Sequence, residues 1–209
     1  PTSTSAVLAS SFQENFNTKW DLLLGSKSPR RKDLLSELGF DFQMVDIECN
    51  EDFPSNLKAE EIVSFLAKSK SEHYQKELLE NELLITADTI VWHKGEVLNK
   101  PADSSEAFQM ISKLQNSFHE VITGVHLKSA TKESTFTETT RVHFRALKDW
   151  QIKAYVNTDA PLDKAGAYGI QDWIGKIGVD RIEGCYNNVV GLPTAQLYFE
   201  LSNFGKEQA

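Results

Sequence analysis

Leu22, Leu23 and Leu24 run into Gly25 and, within a few residues, into a helix start, so a buried strand and an amphipathic helix must be joined by one short turn. Gly25 permits the sharp bend, Ser28 is a good N-cap, and Pro29 suits the first helical position, where its missing N–H is not needed. The spacing predicts a helix over 29–38. Its first turn carries Arg30 and Arg31, although a helix N-terminus bears partial positive charge and favours acidic residues. Two arginines there are unfavourable unless an anion is expected. Backbone N–H groups, the Ser26 and Ser28 hydroxyls and two guanidiniums would together receive a phosphate chain. The alternative is a surface helix start whose arginines pair with remote carboxylates.

The 209 residues, 40% hydrophobic and 25% charged, suit one large globular domain or two small lobes. No apolar run approaches the roughly 20 residues that span a bilayer. The first twenty residues lack a secretory layout, so a soluble, cytoplasmic protein is expected. Cys49 and Cys185 are distant, with no metal-binding spacing, and read as reduced thiols. The formal charge of −8 argues against nucleic acid as the main partner. A basic pocket on an acidic body fits a small anionic ligand better.

Residues 1–20 are Ser/Thr-rich and weakly periodic, and read as an N-terminal extension, in part of cloning origin, before a single domain over 21–209. After the first helix, Gly39 is a plausible terminator and 40–47 alternate as a half-buried strand. Residues 49–57 form a polar loop containing Glu51. Ile62, Val63, Leu66 and Ala67 recur at helical spacing, predicting a helix over 59–79 with Lys70 near its middle. An apolar run at 83–85 stops at Asp88, β-type composition resumes at 89–92, and the turn at 93–95 leads to a return strand. Asp88 is therefore placed mid-sheet or at a bulge. Asp103 or Ser104 caps a helix with Ala107, Met110, Ile111 and Leu114 on one face. Residues 121–127 and 134–144 read as paired strands, and 147–156 as a helix. Short strands follow through 177–190, then a final helix over 194–201. Alternating strands and helices predict an α/β or α+β sheet.

Asp88, between ITA and TIV, is unfavourable in a buried sheet without a partner. It reads as a general base or metal ligand, or else as a strand-end acid facing solvent or satisfied by backbone N–H groups. Lys70 and Lys100 could supply point charges for phosphate oxygens, or simply be solvated. Glu51 paired with Asp88 could hold Mg²⁺ or Mn²⁺. Residues 164–171, KAGAYGIQ, combine small residues, an aromatic ring and the Gln171 amide, which suits a nucleobase edge; a glycine-rich turn is the plain alternative.

In order along the chain, SKSPRR (26–31), Ala87-Asp88-Thr89, Lys100-Pro101, Thr123-Gly124-Val125, 164–171 and 182–193 resemble the motifs of the Maf family of nucleoside triphosphate pyrophosphatases. The resemblance covers almost everything after residue 20. It implies a Maf/ITPase-like fold: a central twisted mixed sheet flanked by helices, with two lobes and an active-site cleft between them. It further implies hydrolysis of a nucleoside triphosphate to the monophosphate and pyrophosphate, a nucleotide-pool housecleaning activity dependent on Mg²⁺ or Mn²⁺. Asp88 then matches the acid that activates water, and Ser26, Arg30, Arg31, Lys70 and Lys100 match the phosphate-holding positions. Glu51, with Glu48 as competitor, matches the second metal acid. Arg30, Thr89 and Gln171 match the branch acting on dTTP and UTP. A homodimer is compatible with the resemblance; nucleic-acid and membrane partners are not expected. The alternative of another class is a nucleotide-binding regulatory protein linked to cell division, without significant turnover.

Overall fold

The structure, a computed structural model, describes residues 20–204. The predicted N-terminal extension lies outside the described residues except for Trp20. In chain order the elements are β1 (Asp21–Leu24), α1 (Pro29–Glu37), β2 (Phe42–Met44), α2 (Glu60–Glu72), β3 (Glu82–His93), β4 (Glu96–Leu98) and α3 (Ser104–Leu114). They continue as β5 (Ser117–Lys128), β6 (Glu133–Phe144), α4 (Asp149–Val156), a 3-10 turn (Ala165–Ala167), α5 (Trp173–Gly178), β7 (Val179–Glu183), α6 (Tyr186–Val190) and α7 (Thr194–Asn203).

The sheet has the order β2-β1-β3-β5-β6-β7, with β4 also paired to β3. It is mixed: β1 runs parallel to β2 and β3, and the remaining pairs are antiparallel. The antiparallel pair of β3 and β5 supplies its middle. Side chains alternate along β3, so its two faces feed two cores. Ile90, with Ile122 of β5, packs on Ile62, Val63 and Leu66 of α2. Ile85, Ala87 and Val91 join the larger core, which also holds Leu35 of α1, Ile111 of α3, Ile152 of α4 and Leu197 of α7.

One break in the pairing opens the sheet at β3. β5 covers one edge of β3 from Leu84 to Trp92. The other edge is shared, with β1 paired as far as Ile85 and β4 only from Val91. Residues 86–90 therefore have a strand neighbour on one side and none on the other. Asp88 and Thr89 sit in that gap. β3 itself passes through Asp88 unbroken, with Asp88 opposite Gly124, so the acid is mid-sheet and not at a bulge.

Several elements differ from the sequence expectation. α2 ends at Glu72, not near residue 79, and Lys70 lies in its last turn, where a cation favours the helix dipole. Beyond Ser71 the apolar face has nothing to pack on, Leu79 being 64% exposed, and the His73 ring pairs with the Ser69 carbonyl at 2.8 Å. β2 is a three-residue edge strand, shorter than the alternation suggested. Of the strands expected over 177–190 only β7 forms. It is flanked by the short helices α5 and α6, whose Ile/Val content resembles strand composition but whose conformation is set by packing. In α5, Gly175 lies so close to the Ile170 carbonyl that no Cβ would fit. No helix among the described residues is long and apolar enough to cross a membrane.

Candidate active site

A cavity of about 1010 Å³ wraps the open edge of β3 and reaches both faces of the strand, touching Leu66 and Ile90 on one side and Tyr168, Ile170 and Val190 on the other. Every residue singled out for chemistry lines it: Ser26, Ser28, Arg30, Arg31, Glu48, Glu51, Lys70, Asp88, Thr89, Lys100 and Gln171. Residues more than a hundred positions apart meet because the SKSPRR turn leaves β1 where its pairing with β3 stops. The Gly25 N–H still bonds to the Ile85 carbonyl, at 2.9 Å, just before the gap.

On the α2 face, the Asp88 side chain is only 9% exposed. Its Oδ2 lies 2.7 Å from Lys70 Nζ, a contact of charges at an angle outside hydrogen-bond geometry, so this buried oxygen has no hydrogen-bond donor. Neither the solvent-facing nor the backbone-satisfied reading describes that oxygen. Lys70 Nζ donates instead to the Ala87 carbonyl at 3.4 Å, on the part of β3 that lacks a strand neighbour, and reaches Glu51 Oε1 at 3.6 Å. Lys100 Nζ is 3.5 Å from the same glutamate oxygen. Burial opposes ionisation of Glu51, but Lys70 and Lys100 outweigh it and hold the carboxyl below its ordinary range. Glu48 lines the same cavity and, like Glu51, is exposed, but it forms no ion pair among the described residues.

Gly124 brings α2 this close. A Cβ there would stand 2.5 Å from the Val63 carbonyl oxygen, so the helix backbone rests directly on the strand opposite Asp88.

On the other face, Thr89 Oγ1 hydrogen-bonds Thr123 Oγ1 at 2.8 Å and accepts from Arg31 Nη2 at 2.9 Å. Arg31 Nε donates to the Gly191 carbonyl at 2.8 Å. Burial lowers the Arg31 pKa, and the Asp88 charge opposes that shift. Arg31 thus braces Thr89 against the connection between α6 and α7. Arg30 Nη1 pairs with Asp163 Oδ2 at 3.2 Å, so the turn combines both sequence readings: an arginine on a remote carboxylate, inside a cavity. The Ser26 hydroxyl accepts the Ser28 N–H at 3.2 Å, and the Ser28 hydroxyl accepts the Arg31 N–H at 3.4 Å. Their lone pairs shape the turn. Gln171 is exposed in the cavity, within a turn closed by the Asp172 N–H on the Gly169 carbonyl at 3.0 Å.

Sequence reasoning passed over Asp163, Asp172 and Tyr155. The two acids flank KAGAYGIQ and could have been noticed as its charged borders; Tyr155 reads as an ordinary core aromatic, and only its hydroxyl contact distinguishes it.

A divalent cation fits this donor set. The orphaned Asp88 Oδ2 and the Glu51 carboxylate lie within reach of one ammonium. No group of three or more His, Cys, Asp or Glu residues among the described ones could hold a metal by itself. Two carboxylates completed by substrate and water oxygens suit Mg²⁺ or Mn²⁺ rather than an all-protein cage.

Residues 21–204 match the family model described as Maf-like protein. The chain is 47% identical over 187 residues to a dTTP/UTP pyrophosphatase of Flavobacterium psychrophilum, covering 90% of this chain and 95% of that one. It is 46% identical over 184 residues to a dTTP/UTP pyrophosphatase of Phocaeicola vulgatus, covering 88% and 95%. Among solved structures, the Staphylococcus aureus Ham1 protein gives a TM-score of 0.44 at 13% identity, over 86% of this chain and 99% of that chain. With the ordered motifs gathered around one cavity and matched along the described length, this chain belongs to the Maf family.

Proposed function

We propose that this chain is a nucleoside triphosphate pyrophosphatase that hydrolyses dTTP and UTP to the monophosphate and pyrophosphate. The observation that carries the reading is the buried Asp88 Oδ2 at the open edge of β3, paired by charge with Lys70 at 2.7 Å and without a hydrogen-bond donor, facing a cavity that also holds Arg30 and Lys100. Two relatives named for this activity support it.

Arg30, Lys70 and Lys100 bind and align the triphosphate, with the Ser26 and Ser28 hydroxyls and Arg31 at its flank. Asp88 takes a proton from water; the water oxygen bonds to the α-phosphorus as the bond to the bridging oxygen breaks, and pyrophosphate leaves with that oxygen. A divalent cation bound at Asp88 and Glu51 supplies neutralisation of phosphate charge. Positioning and fixed charge account for most of the acceleration. Arg30, Thr89 and Gln171 select the pyrimidine base.

The test is incubation with UTP, dTTP, CTP, ATP and GTP in Mg²⁺ or Mn²⁺, separating pyrophosphate from orthophosphate. UMP and dTMP with pyrophosphate are expected as direct products; orthophosphate as the direct product overturns the cleavage point. Asp88→Asn should lower kcat by about a hundredfold or more while UTP affinity changes only a few fold. Near-normal turnover in that variant removes Asp88 from the catalytic role.

A further inference from the structure

Lys164 opens the KAGAYGIQ segment and lines the cavity, yet it has no ligand-facing role in the mechanism above. Its side chain is 13% exposed. Nζ donates to the Ala160 carbonyl at 2.6 Å and to Asp163 Oδ1 at 3.0 Å, and lies 3.6 Å from Asp172 Oδ2. An ammonium has three protons. Two protein oxygens accept from this one, and a third, on Asp172, faces it at ion-pair distance, so the ammonium is directed at the protein.

The two carboxylates it joins lead to different parts of the site. Asp163 holds Arg30 through its other oxygen, at 3.2 Å. Asp172 follows Gln171 directly, and its N–H closes the turn that carries that amide. Asp172 Oδ2 also accepts the Tyr155 hydroxyl of α4 at 2.6 Å. The turn is packed down on this network: a Cβ at Gly169 would meet Asp172 Oδ2 at 2.7 Å and Lys164 Cε at 2.9 Å.

We infer that Lys164 is a positioning residue for base selection, its ammonium holding Asp163 and Asp172 so that Arg30 and Gln171 keep one mutual placement. This rests on the reading that Arg30 and Gln171 meet the nucleotide. Asp172 with Tyr155 forms the arm that fixes Gln171, and Asp163 the arm that fixes Arg30. Two of the three selecting side chains thereby share one anchor, whereas Thr89 is held separately through Arg31 and Thr123.

The experiment compares Lys164→Met, Tyr155→Phe and Gln171→Ala with the parent protein. It measures KM and kcat for UTP and ATP, thermal melting, and hydrogen exchange over 165–176. Lys164→Met should raise KM for UTP about tenfold, with kcat within about twofold and a clearly smaller rise in KM for ATP, whose phosphates Arg30 also meets. Exchange of the 169–172 turn should rise. Tyr155→Phe keeps the ring in the core and should give a smaller loss in the same direction. An intact UTP preference in Lys164→Met, alongside its loss in Gln171→Ala, overturns this inference and leaves base reading by Gln171 standing. Equal KM rises for UTP and ATP, or unaltered exchange of the turn, also overturn it. An intact preference in Gln171→Ala instead refutes the underlying reading of Gln171.

Discussion

At the scale of residues, the same side-chain type is read differently by different surroundings. An acid on a loop is ordinarily solvated, whereas an acid in a sheet needs a partner. Asp88 therefore stands out in the sequence by its apolar neighbours alone. Glu51 and Glu48 cannot be ranked that way, since neither stands in an apolar run. Their difference arises because Lys70 and Lys100 reach Glu51 and not Glu48. Glu51→Gln is expected to raise the Mn²⁺ concentration for half-maximal activity by about tenfold or more, and Glu48→Gln to leave it within about twofold. A metal titration of both variants at saturating UTP checks this; equal shifts would return the two acids to the same footing. Arg30 and Arg31 divide in the same manner. Adjacent in sequence, they diverge because one points across the cavity to Asp163 while the other is buried against Thr89 and Gly191.

At the scale of elements, periodicity and capping located α1 and α3 well. Ser28 and Asp103 cap them by their own side chains, and local hydrogen bonds of that kind are legible in sequence. Where a terminus depended on what the helix packs against, sequence placed it poorly: α2 stops where its apolar face runs out of sheet, and α5 and α6 are short helices written in strand-like residues. The contact of α2 with β5 is tight at Gly124, so Gly124→Ala should force the helix outward. Such overpacking destabilises by about 1–3 kcal/mol, and it would draw Lys70 away from Asp88. Urea unfolding should show the loss of stability, and steady-state kinetics a raised KM for UTP. A variant with parental stability and kinetics would mean that α2 is not held by that contact.

At the scale of the molecule, the larger core carries a titratable group that the chemistry does not use. His119 is 1% exposed, hydrogen-bonded through Nε2 to the Tyr168 hydroxyl at 2.6 Å and stacked on Phe144. Burial, with the nearby His93 and His143 adding to it, lowers its pKa from 6.5 to about 3. The unfolded chain therefore binds this proton at a higher pH than the folded one. Stability should fall as pH drops from about 6.5 towards 3, by up to about 1.4 kcal/mol per pH unit from this group. Urea melts at several pH values should show that slope reduced by about one proton in His119→Gln; an unchanged slope would place the acid sensitivity elsewhere. By itself the sequence determined the fold class, the strand-turn-helix that opens the site, the isolation of Asp88 in apolar surroundings and the order of the motifs, because turn chemistry, capping and hydrophobic period act between near neighbours. Only the tertiary structure decided that β1 and β4 leave five residues of β3 uncovered, that Glu51 rather than Glu48 meets the lysines, and that Lys164 joins the acids behind Arg30 and Gln171. Those facts depend on register and on contacts between distant segments, which no local pattern encodes.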